Sequence, residues 1–250
     1  MEEFQIYISG EWKSSDHYIS VFNPYTGEEI ARVAESSRKD FDLAVKSCEL
    51  GFKKNRYLPA FQRAEILHKV SELLSQKEEE FAQVITNESG KAIKYSRGEV
   101  RRAVENLQFS AEAAKHVKGK VLVPDAAKGG IKHKLFYERF PLGIIAAITP
   151  FNFPLNLVVH KIAPAIAAGN SVLLKPSSLT PITSIKLIEL FLEAGLPPHA
   201  VNLVIGRGDI VGDWITGNEK INMITFTGSP SVGKWIKNNS GMKKVSLELG

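Results

Sequence analysis

Hydrophobic and polar residues follow two different patterns along the chain, and each pattern predicts a different kind of structure. Near the N-terminus, short stretches with a two-residue period predict a β-hairpin around Gly10 and further short strands within residues 18–33. Between residues 38 and 115 the apolar spacing changes to about 3.6 residues, which is typical of amphipathic helices. The first part of the chain is therefore predicted to be a small β region followed by helices.

From residue 143 onward, short apolar runs alternate with helical segments. The runs are predicted strands and lie at residues 143–148, 171–175, 201–205, 221–226 and 244–249. Two pairs, Thr180-Pro181 and Ser229-Pro230, predict helix starts, because Thr and Ser cap helices well and Pro suits the first turn. Strands that alternate with helices favour an α/β fold with a Rossmann-like, doubly wound parallel sheet.

A charged, alternating stretch, GIKHKLFYERFPLG, separates these two parts. Residues 131–140 predict one long strand that is polar on one side and apolar on the other, within a hairpin at residues 121–140 that protrudes from the main body. Such a strand is either an edge that pairs with another subunit or part of an ordinary surface hairpin, and the pattern fits both.

Composition narrows the class of protein. The 250 residues are enough for one large core or two smaller ones, and the 44% apolar and 24% charged residues are ordinary for a globular protein. The acidic start MEEF is unlike a secretory signal, and prolines interrupt the longest apolar stretch. A cytoplasmic protein without a membrane span is therefore expected.

Charge and cysteine content add two further expectations. The net charge of +5 is dispersed, without a basic stripe interleaved with aromatic residues, so nucleic-acid binding is not expected. The single cysteine, Cys48, lies in the helical stretch and is interpreted as a half-buried structural thiol. It suits a reducing compartment, and no metal site is predicted.

In doubly wound sheets, ligands bind outside the carboxyl ends of the strands. That rule places five parts of this chain along one rim, namely residues 149–152, 175–178, 206–208 and 227–229 and Glu248. The usual glycine-rich phosphate turn is missing after the first strand. Gly228 and Ser229 precede a helix whose free N–H groups suit a pyrophosphate, although an ordinary capped strand-to-helix turn is the commoner meaning of this motif by itself.

Three further polar side chains on the rim each have two interpretations. Lys175 would reach either ribose hydroxyls or bulk solvent. The Asn152 amide would donate a hydrogen bond to an oxyanion or satisfy its own turn. Glu248 ends an apolar strand, where apolar neighbours would raise its pKa and suit it for general-base catalysis, or it is a solvated acid at the chain terminus.

The joint pattern is more specific than any single residue. ITPFNFPLN, KIAPAIAAGNSVLLKPSSLTP, EAGLPPHAVNLVIGRG, FTGSPSVG and LELG, in this order, resemble the aldehyde dehydrogenase superfamily. The resemblance extends back through NESGKAI and ISGEW and so covers nearly the whole chain. GRGDIVGDWI is similar to the lactaldehyde and non-phosphorylating glyceraldehyde-3-phosphate dehydrogenase branch.

The resemblance implies roles for the rim residues. Asn152 would be the oxyanion donor, Lys175 an adenine-ribose ligand, Ser229 a pyrophosphate ligand and Glu248 the general base. The other implied cofactor-binding residues are Thr149, Pro150, Phe151, Ser177, Ser178, Gly208, Phe226, Thr227, Gly228, Val232 and Leu249. Residues 1–120 and 141–250 would form the cofactor-binding domain. Lys161 would relay protons to Glu248 or be a plain lysine on a helix surface.

Two departures from the family pattern matter. Many NAD-preferring members have a glutamate three residues after the ribose lysine, where this chain has Ser178. Because a carboxylate there would repel a 2′-phosphate, we expect NADP as the preferred cofactor, with NAD as the other option. The family chemistry also needs a cysteine thiolate that forms a thiohemiacetal and then a thioester, and Cys48 does not match that position.

The resemblance therefore implies NAD(P)-dependent oxidation of an aldehyde to a carboxylic acid, with the nucleophile expected beyond Gly250. The 250-residue chain alone is predicted to be inactive, and a non-catalytic nucleotide-binding or interaction protein is the alternative. A homodimer or homotetramer joined through the hairpin is expected. A phosphorylated triose would require basic residues, for which Arg101, Arg102 and His116 are candidates that a surface helix explains as well.

Overall fold

The computed structural model describes residues 2–250. Its N-terminal part contains five short strands, which are β1 (Glu2–Phe4), β2 (Ile6–Ile8), β3 (Glu11–Lys13), β4 (Tyr18–Phe22) and β5 (Glu29–Ala34). The hairpin predicted around Gly10 is the antiparallel pair of β2 and β3. The strand β5 pairs with β1 and with β4 in a second small sheet.

Four helices follow, as the apolar spacing predicts. They are α1 (Arg38–Asn55), α2 (Ala60–Gln76), α3 (Glu78–Ser89) and α4 (Ile93–Lys115). Helix α1 begins at a capping box, in which the Ser37 hydroxyl accepts from the Asp40 amide and the Asp40 carboxylate accepts from the Ser37 amide. This reciprocal arrangement satisfies two amides that a helix start leaves free.

A glycine joins α3 to α4 and fixes the angle between them. Gly90 ends α3 with φ at 69°, in the left-handed region that L side chains rarely adopt. A Cβ atom at this position would also lie 2.8 Å from Cγ of Pro24. The joint matters for the site, because it positions two buried glutamates, Glu88 on α3 and Glu99 on α4.

The hairpin is the part of the chain in which the sequence pattern is least informative. Its strands are β6 (Lys120–Leu122) and β7 (Leu135–Tyr137), which pair antiparallel and are exposed. The long strand predicted at residues 131–140 is wrong, since only three of those residues pair and two 3₁₀ turns precede them. Alternation alone does not make a strand where no neighbouring strand accepts its hydrogen bonds.

The remaining elements form the predicted α/β region. The strands are β8 (Ile144–Ile148), β9 (Ser171–Lys175), β10 (Val201–Leu203), β11 (Ile221–Gly228) and β12 (Lys244–Leu249). The helices between them are α5 (Asn156–Ala167), α6 (Ile182–Glu193), α7 (Gly208–Gly217) and α8 (Pro230–Asn239). All five strands run parallel, which confirms the predicted doubly wound sheet.

The sheet order is β10-β9-β8-β11-β12. The chain moves outward from β8 to β10, then returns to add β11 on the other side of β8, so the winding direction reverses between β8 and β11. Strands β8, β9 and β10 are fully buried, whereas β12, the edge strand opposite β10, has only exposed and half-buried residues. No helix within residues 2–250 is long and apolar enough to cross a membrane.

Candidate active site at the carboxyl edge of the sheet

Two adjoining cavities, of about 540 and 670 Å³, open at the carboxyl ends of β8 and β9. This is next to the point where the winding direction reverses, the usual ligand position in doubly wound sheets. Lys175, Gly208 and Asp209 line both cavities. Of the other predicted residues, Thr149, Pro150, Ser177 and Ser178 line the larger cavity and Phe226 and Val232 the smaller.

Lys175 is the central cation of this region. It ends β9 and is 5% exposed, so the alternative of a solvated lysine is wrong. Its ammonium donates to the Pro176 carbonyl oxygen at 3.0 Å, and burial lowers the pKa of Lys175 to about 8. An ammonium carries three donors, and this single contact leaves capacity for a ligand in the cavity.

Thr149 lies at the end of the neighbouring strand. Its amide donates to the Lys175 carbonyl oxygen at 3.2 Å, which ties the ends of β8 and β9 together. Its hydroxyl is buried and has no hydrogen-bond partner among the described residues. Buried hydroxyls are usually paired, so this one is suited to a ligand or a bound water.

Ser178 and Arg207 form the outer wall of the larger cavity. The Ser178 hydroxyl donates to the Gly206 carbonyl oxygen at 2.8 Å. The Arg207 guanidinium is 70% exposed and donates to both carboxylate oxygens of Asp209, at 3.2 and 2.7 Å, which lowers the pKa of Asp209. The sequence reasoning did not single out Arg207, although its place in VIGRG after a strand marks it as a rim residue.

The turn between β11 and α8 has the predicted capped geometry. The Ser229 hydroxyl accepts from the Val232 amide at 3.4 Å, and Pro230 occupies the first turn. A Cβ atom at Gly228 would lie 2.4 Å from the Phe226 ring, so a larger residue there would require that ring to shift. The smaller cavity is not lined by Thr227, Gly228 or Ser229, which lie on the rim between its lining residues Phe226 and Ser231.

Glu248 differs from its predicted environment. Its side chain is 54% exposed and accepts a hydrogen bond from the Thr227 hydroxyl at 2.6 Å. That hydrogen bond and the Lys161 ammonium lower the pKa of Glu248, so the predicted rise is wrong. The reason is that every residue of β12 is exposed or half-buried, so that solvent and polar groups replace the expected apolar neighbours. Leu249 is also exposed.

Lys161 is buried, so the interpretation as a helix-surface lysine is wrong. Its ammonium lies 3.8 Å from Glu248 and donates to the Thr225 hydroxyl at 3.3 Å. Burial lowers the pKa of Lys161, and the Glu248 charge opposes that shift. The structure thus brings a buried lysine to the carboxylate with which the sequence paired it.

Asn152 lies in the segment 149–155 between β8 and α5 and is exposed, as is Phe151. Phe153 in the same segment lies under the Lys91 ammonium, at 4.1 Å from the ring centre, and beside the Arg102 guanidinium, at 5.0 Å. Arg101 pairs with Glu78 at 2.8 Å. The segment is therefore held by packing at Phe153 while the Asn152 amide stays accessible.

Two buried glutamates cap the helices that follow the rim segments. Glu99 accepts from the amides of Leu155 and Asn156, at 2.9 and 3.1 Å, at the start of α5. Glu88 accepts from the amides of Ile182 and Thr183, at 2.8 and 3.1 Å, at the start of α6. The predicted Thr180 cap of α6 is wrong, because Glu88 occupies that role and the Thr180 hydroxyl is unpaired.

Cys48 does not take part in this region. It is fully buried, more than the half-burial predicted, and its thiol contacts the Val172 carbonyl oxygen and the Asn202 amide. Burial raises the pKa of Cys48 to about 12. A thiol that stays protonated and enclosed is a structural residue, in agreement with the sequence interpretation.

The fold and the rim together define a doubly wound α/β protein with a crevice at its switch point. Residues 12–250 match the aldehyde dehydrogenase family. The chain belongs to that family. It spans about half the length of the curated relatives it matches. Of the two relatives described next, it covers 52% of each.

Two relatives and one solved structure illustrate the similarity. The chain is 44% identical over its full length to 3-sulfolactaldehyde dehydrogenase from Priestia megaterium. It is 43% identical, over 98% of its length, to lactaldehyde dehydrogenase from Methanococcus maripaludis. The crystal structure of NADP-dependent glyceraldehyde-3-phosphate dehydrogenase from Bacillus halodurans complexed with NADP superimposes with a TM-score of 0.97 at 33% identity, covering all of this chain and 53% of that one.

Proposed function

We propose that the protein binds NADP or NAD at the carboxyl edge of the sheet and takes part in the oxidation of an aldehyde to a carboxylic acid. The observation that carries this proposal is Lys175, a buried ammonium that opens into two cavities with unused donors. The unpaired Thr149 hydroxyl lies in the same place. Ribose hydroxyls have the acceptors and donors that complement both groups.

The proposed chemistry divides among three side chains. The bound nicotinamide would supply the hydride acceptor. The exposed Asn152 amide would donate to the substrate oxygen as negative charge develops on it. Glu248, held ionised by Thr227 and Lys161, would accept the proton of the hydrolytic water and become neutral, and the Lys161 ammonium would stabilise the carboxylate before the transfer.

The nucleophile is proposed to lie outside these 250 residues. Cys48 is enclosed and protonated, which suits it poorly for attack on a carbonyl. The catalytic claim is tested on the protein at its native full length, by following reduction of NADP or NAD with an aldehyde present and identifying the acid formed. If the cofactor binds and no aldehyde is oxidised, the alternative of a non-catalytic nucleotide-binding protein replaces this proposal.

The cofactor preference is proposed to be NADP. Ser178 lines the larger cavity where a carboxylate would repel a 2′-phosphate, and the exposed Arg207 guanidinium lies on the same wall. The NADP-bound structure to which this chain is similar is consistent with the preference. Asp209 holds Arg207 in place and would compete with the phosphate for it.

A pair of variants tests this preference. Ser178→Glu is expected to weaken NADP binding by about 10-fold or more through charge repulsion while NAD binding is kept, measured by quenching of protein fluorescence. Arg207→Ala is expected to weaken NADP binding alone. Equal effects of either variant on NADP and NAD would contradict a phosphate contact.

The substrate is proposed to be a short α-hydroxyaldehyde. Lactaldehyde, sulfolactaldehyde and glyceraldehyde 3-phosphate, which name the relatives' and neighbour's activities, share an α-hydroxyl group. Comparing kcat/KM for lactaldehyde with that for propanal, which lacks the hydroxyl, tests the class. A higher value for propanal would contradict it.

The hairpin is proposed to join subunits of a homodimer or homotetramer. Its apolar side chains are exposed, among them Val121, Val123, Phe136 and Phe140. An exposed two-stranded ribbon with such residues is suited to pairing with another chain. Light scattering of the full-length protein, compared with that of a Val121→Glu/Phe136→Glu variant, tests this; an unchanged mass would count against the hairpin.

A further inference from the structure

The two glutamates buried behind the rim have geometries that match one another. Glu99 and Glu88 are both on the helical layer, and each accepts two backbone amides at the start of a helix of the α/β region. The partners are remote in sequence, so neither contact is a local cap. Each links the helical layer to one specific rim segment.

Each rim segment is thereby fixed at both ends. The segment 149–155, which carries Asn152, runs from the end of β8 to the start of α5, where Glu99 holds it. The segment 176–181, which carries Ser177 and Ser178, runs from the end of β9 to the start of α6, where Glu88 holds it. The strand ends belong to fully buried strands of the sheet, and the glutamates hold the other end of each segment.

The surroundings of the two carboxylates differ in charge. Glu99 forms an ion pair with Lys91, whose ammonium also covers the Phe153 ring of the segment 149–155. No such cation lies within ion-pair distance of Glu88 among residues 2–250, and the Thr183 hydroxyl donates to it instead. Glu99 therefore holds its segment directly at the backbone of Leu155 and Asn156, and its ion-pair partner Lys91 contacts the Phe153 ring.

We propose that Glu99 and Glu88 are positioning residues with separate tasks. Glu99 fixes the placement of the Asn152 amide, and Glu88 fixes the placement of the cofactor segment that contains Ser178. This inference rests on the proposed function for its kinetic consequences. Its structural part, which segment each glutamate fixes, is independent of that function.

The test compares Glu99→Gln with Glu88→Gln in the full-length protein, each serving as the matched control for the other. Glu99→Gln is expected to lower kcat by about 100-fold, as a misplaced catalytic donor does, with a much smaller change in the Kd of NADPH. Glu88→Gln is expected to raise the Kd of NADPH by about 10-fold, with a much smaller change in kcat at saturating NADP. In this crossed pattern, one variant changes mainly kcat and the other mainly the Kd. An equal loss of thermal stability in both variants would not produce it.

Hydrogen exchange supplies the readout that does not depend on activity. Exchange is expected to rise in residues 149–154 with Glu99→Gln and in residues 176–181 with Glu88→Gln, in each case without the other segment. If Glu99→Gln does not fold, the double variant Glu99→Gln/Lys91→Met removes the unpaired ammonium, and it is compared with Lys91→Met, which also loses the contact with the Phe153 ring. Parallel changes in both segments, or in both kinetic parameters, would overturn the proposal.

The two levels of failure are distinguishable. A wild-type protein that neither binds NADPH nor oxidises an aldehyde contradicts the proposed function, and the exchange measurement still decides the positioning roles. A wild-type enzyme with the expected activity, whose variants lack the crossed pattern, contradicts the positioning roles alone.

Discussion

Lys175 and Glu248 each lie at the carboxyl end of a parallel strand, yet their environments are opposite. Lys175 ends β9, which has a partner strand on each side, and is 5% exposed. Glu248 lies on β12, which has one partner strand in this chain, and its side chain is 54% exposed. Burial lowers the pKa of Lys175, whereas two polar neighbours lower the pKa of Glu248.

The comparison shows that the burial of a strand decides what environment a polar residue at its end has. In the middle of the sheet, burial in a low dielectric disfavours the charged form of Lys175 and so lowers its pKa. Its ammonium still has donors available for a ligand. On the exposed strand β12, individual hydrogen bonds and nearby charges determine the pKa of Glu248. The two residues should therefore respond to substitution in different measurable quantities.

The largest effect is expected from Glu248→Gln. Under the proposed function Glu248 is the general base, whose removal typically costs about 100- to 10,000-fold in rate, so kcat should fall within that range. The Kd of NADPH should stay near the wild-type value, because Glu248 lines neither cavity. A loss of cofactor affinity equal to the loss of rate would place Glu248 in binding and remove the contrast with Lys175.

A smaller effect, on binding, is expected from Lys175→Met. A hydrogen bond from a charged donor contributes about 1.5–3 kcal/mol, so the Kd of NADPH should rise about 10- to 100-fold. Lys161→Met is the matched control, since it removes the other buried lysine of this region. It should lower kcat with little change in the Kd; the reverse assignment of the two lysines would contradict the comparison.

The smallest effect is a shift in pH dependence on replacing Thr227 with Val. A lowered pKa keeps the Glu248 carboxylate ionised to lower pH, so the acidic limb of kcat/KM should lie below the ordinary glutamate range. Removing the Thr227 hydrogen bond raises that pKa, and the limb should move to higher pH. A profile that does not move would mean that another group titrates there.

The sequence predicted the α/β region well because each element carries its own local signal. Apolar runs and cap residues such as Ser229 mark the strands and helices, and the end of each parallel strand then indicates the rim. The same signals cannot give the order of strands in the sheet. Glu248 was therefore assigned an apolar environment, when β12 lies at the exposed edge.

Long-range contacts account for the other differences. Glu88 and Glu99 look like ordinary helix residues, and their partners lie 94 and 56 residues away. Lys161 is on α5, whose face toward β8 and face toward α4 are both covered, so its burial does not follow from periodicity. Local pattern establishes which elements exist, whereas packing between layers establishes what their polar residues do.

The strand order also has a consequence for synthesis. Strand β11 pairs with β8 only after β9, β10 and the intervening helices have been made, which takes several seconds at about 5–20 residues per second. During that interval the apolar edge of β8 has no partner. The growing chain thus passes through a stage at which β8, β9 and β10 can form half a sheet with an open side, and an unpaired strand edge of that kind favours association with other chains.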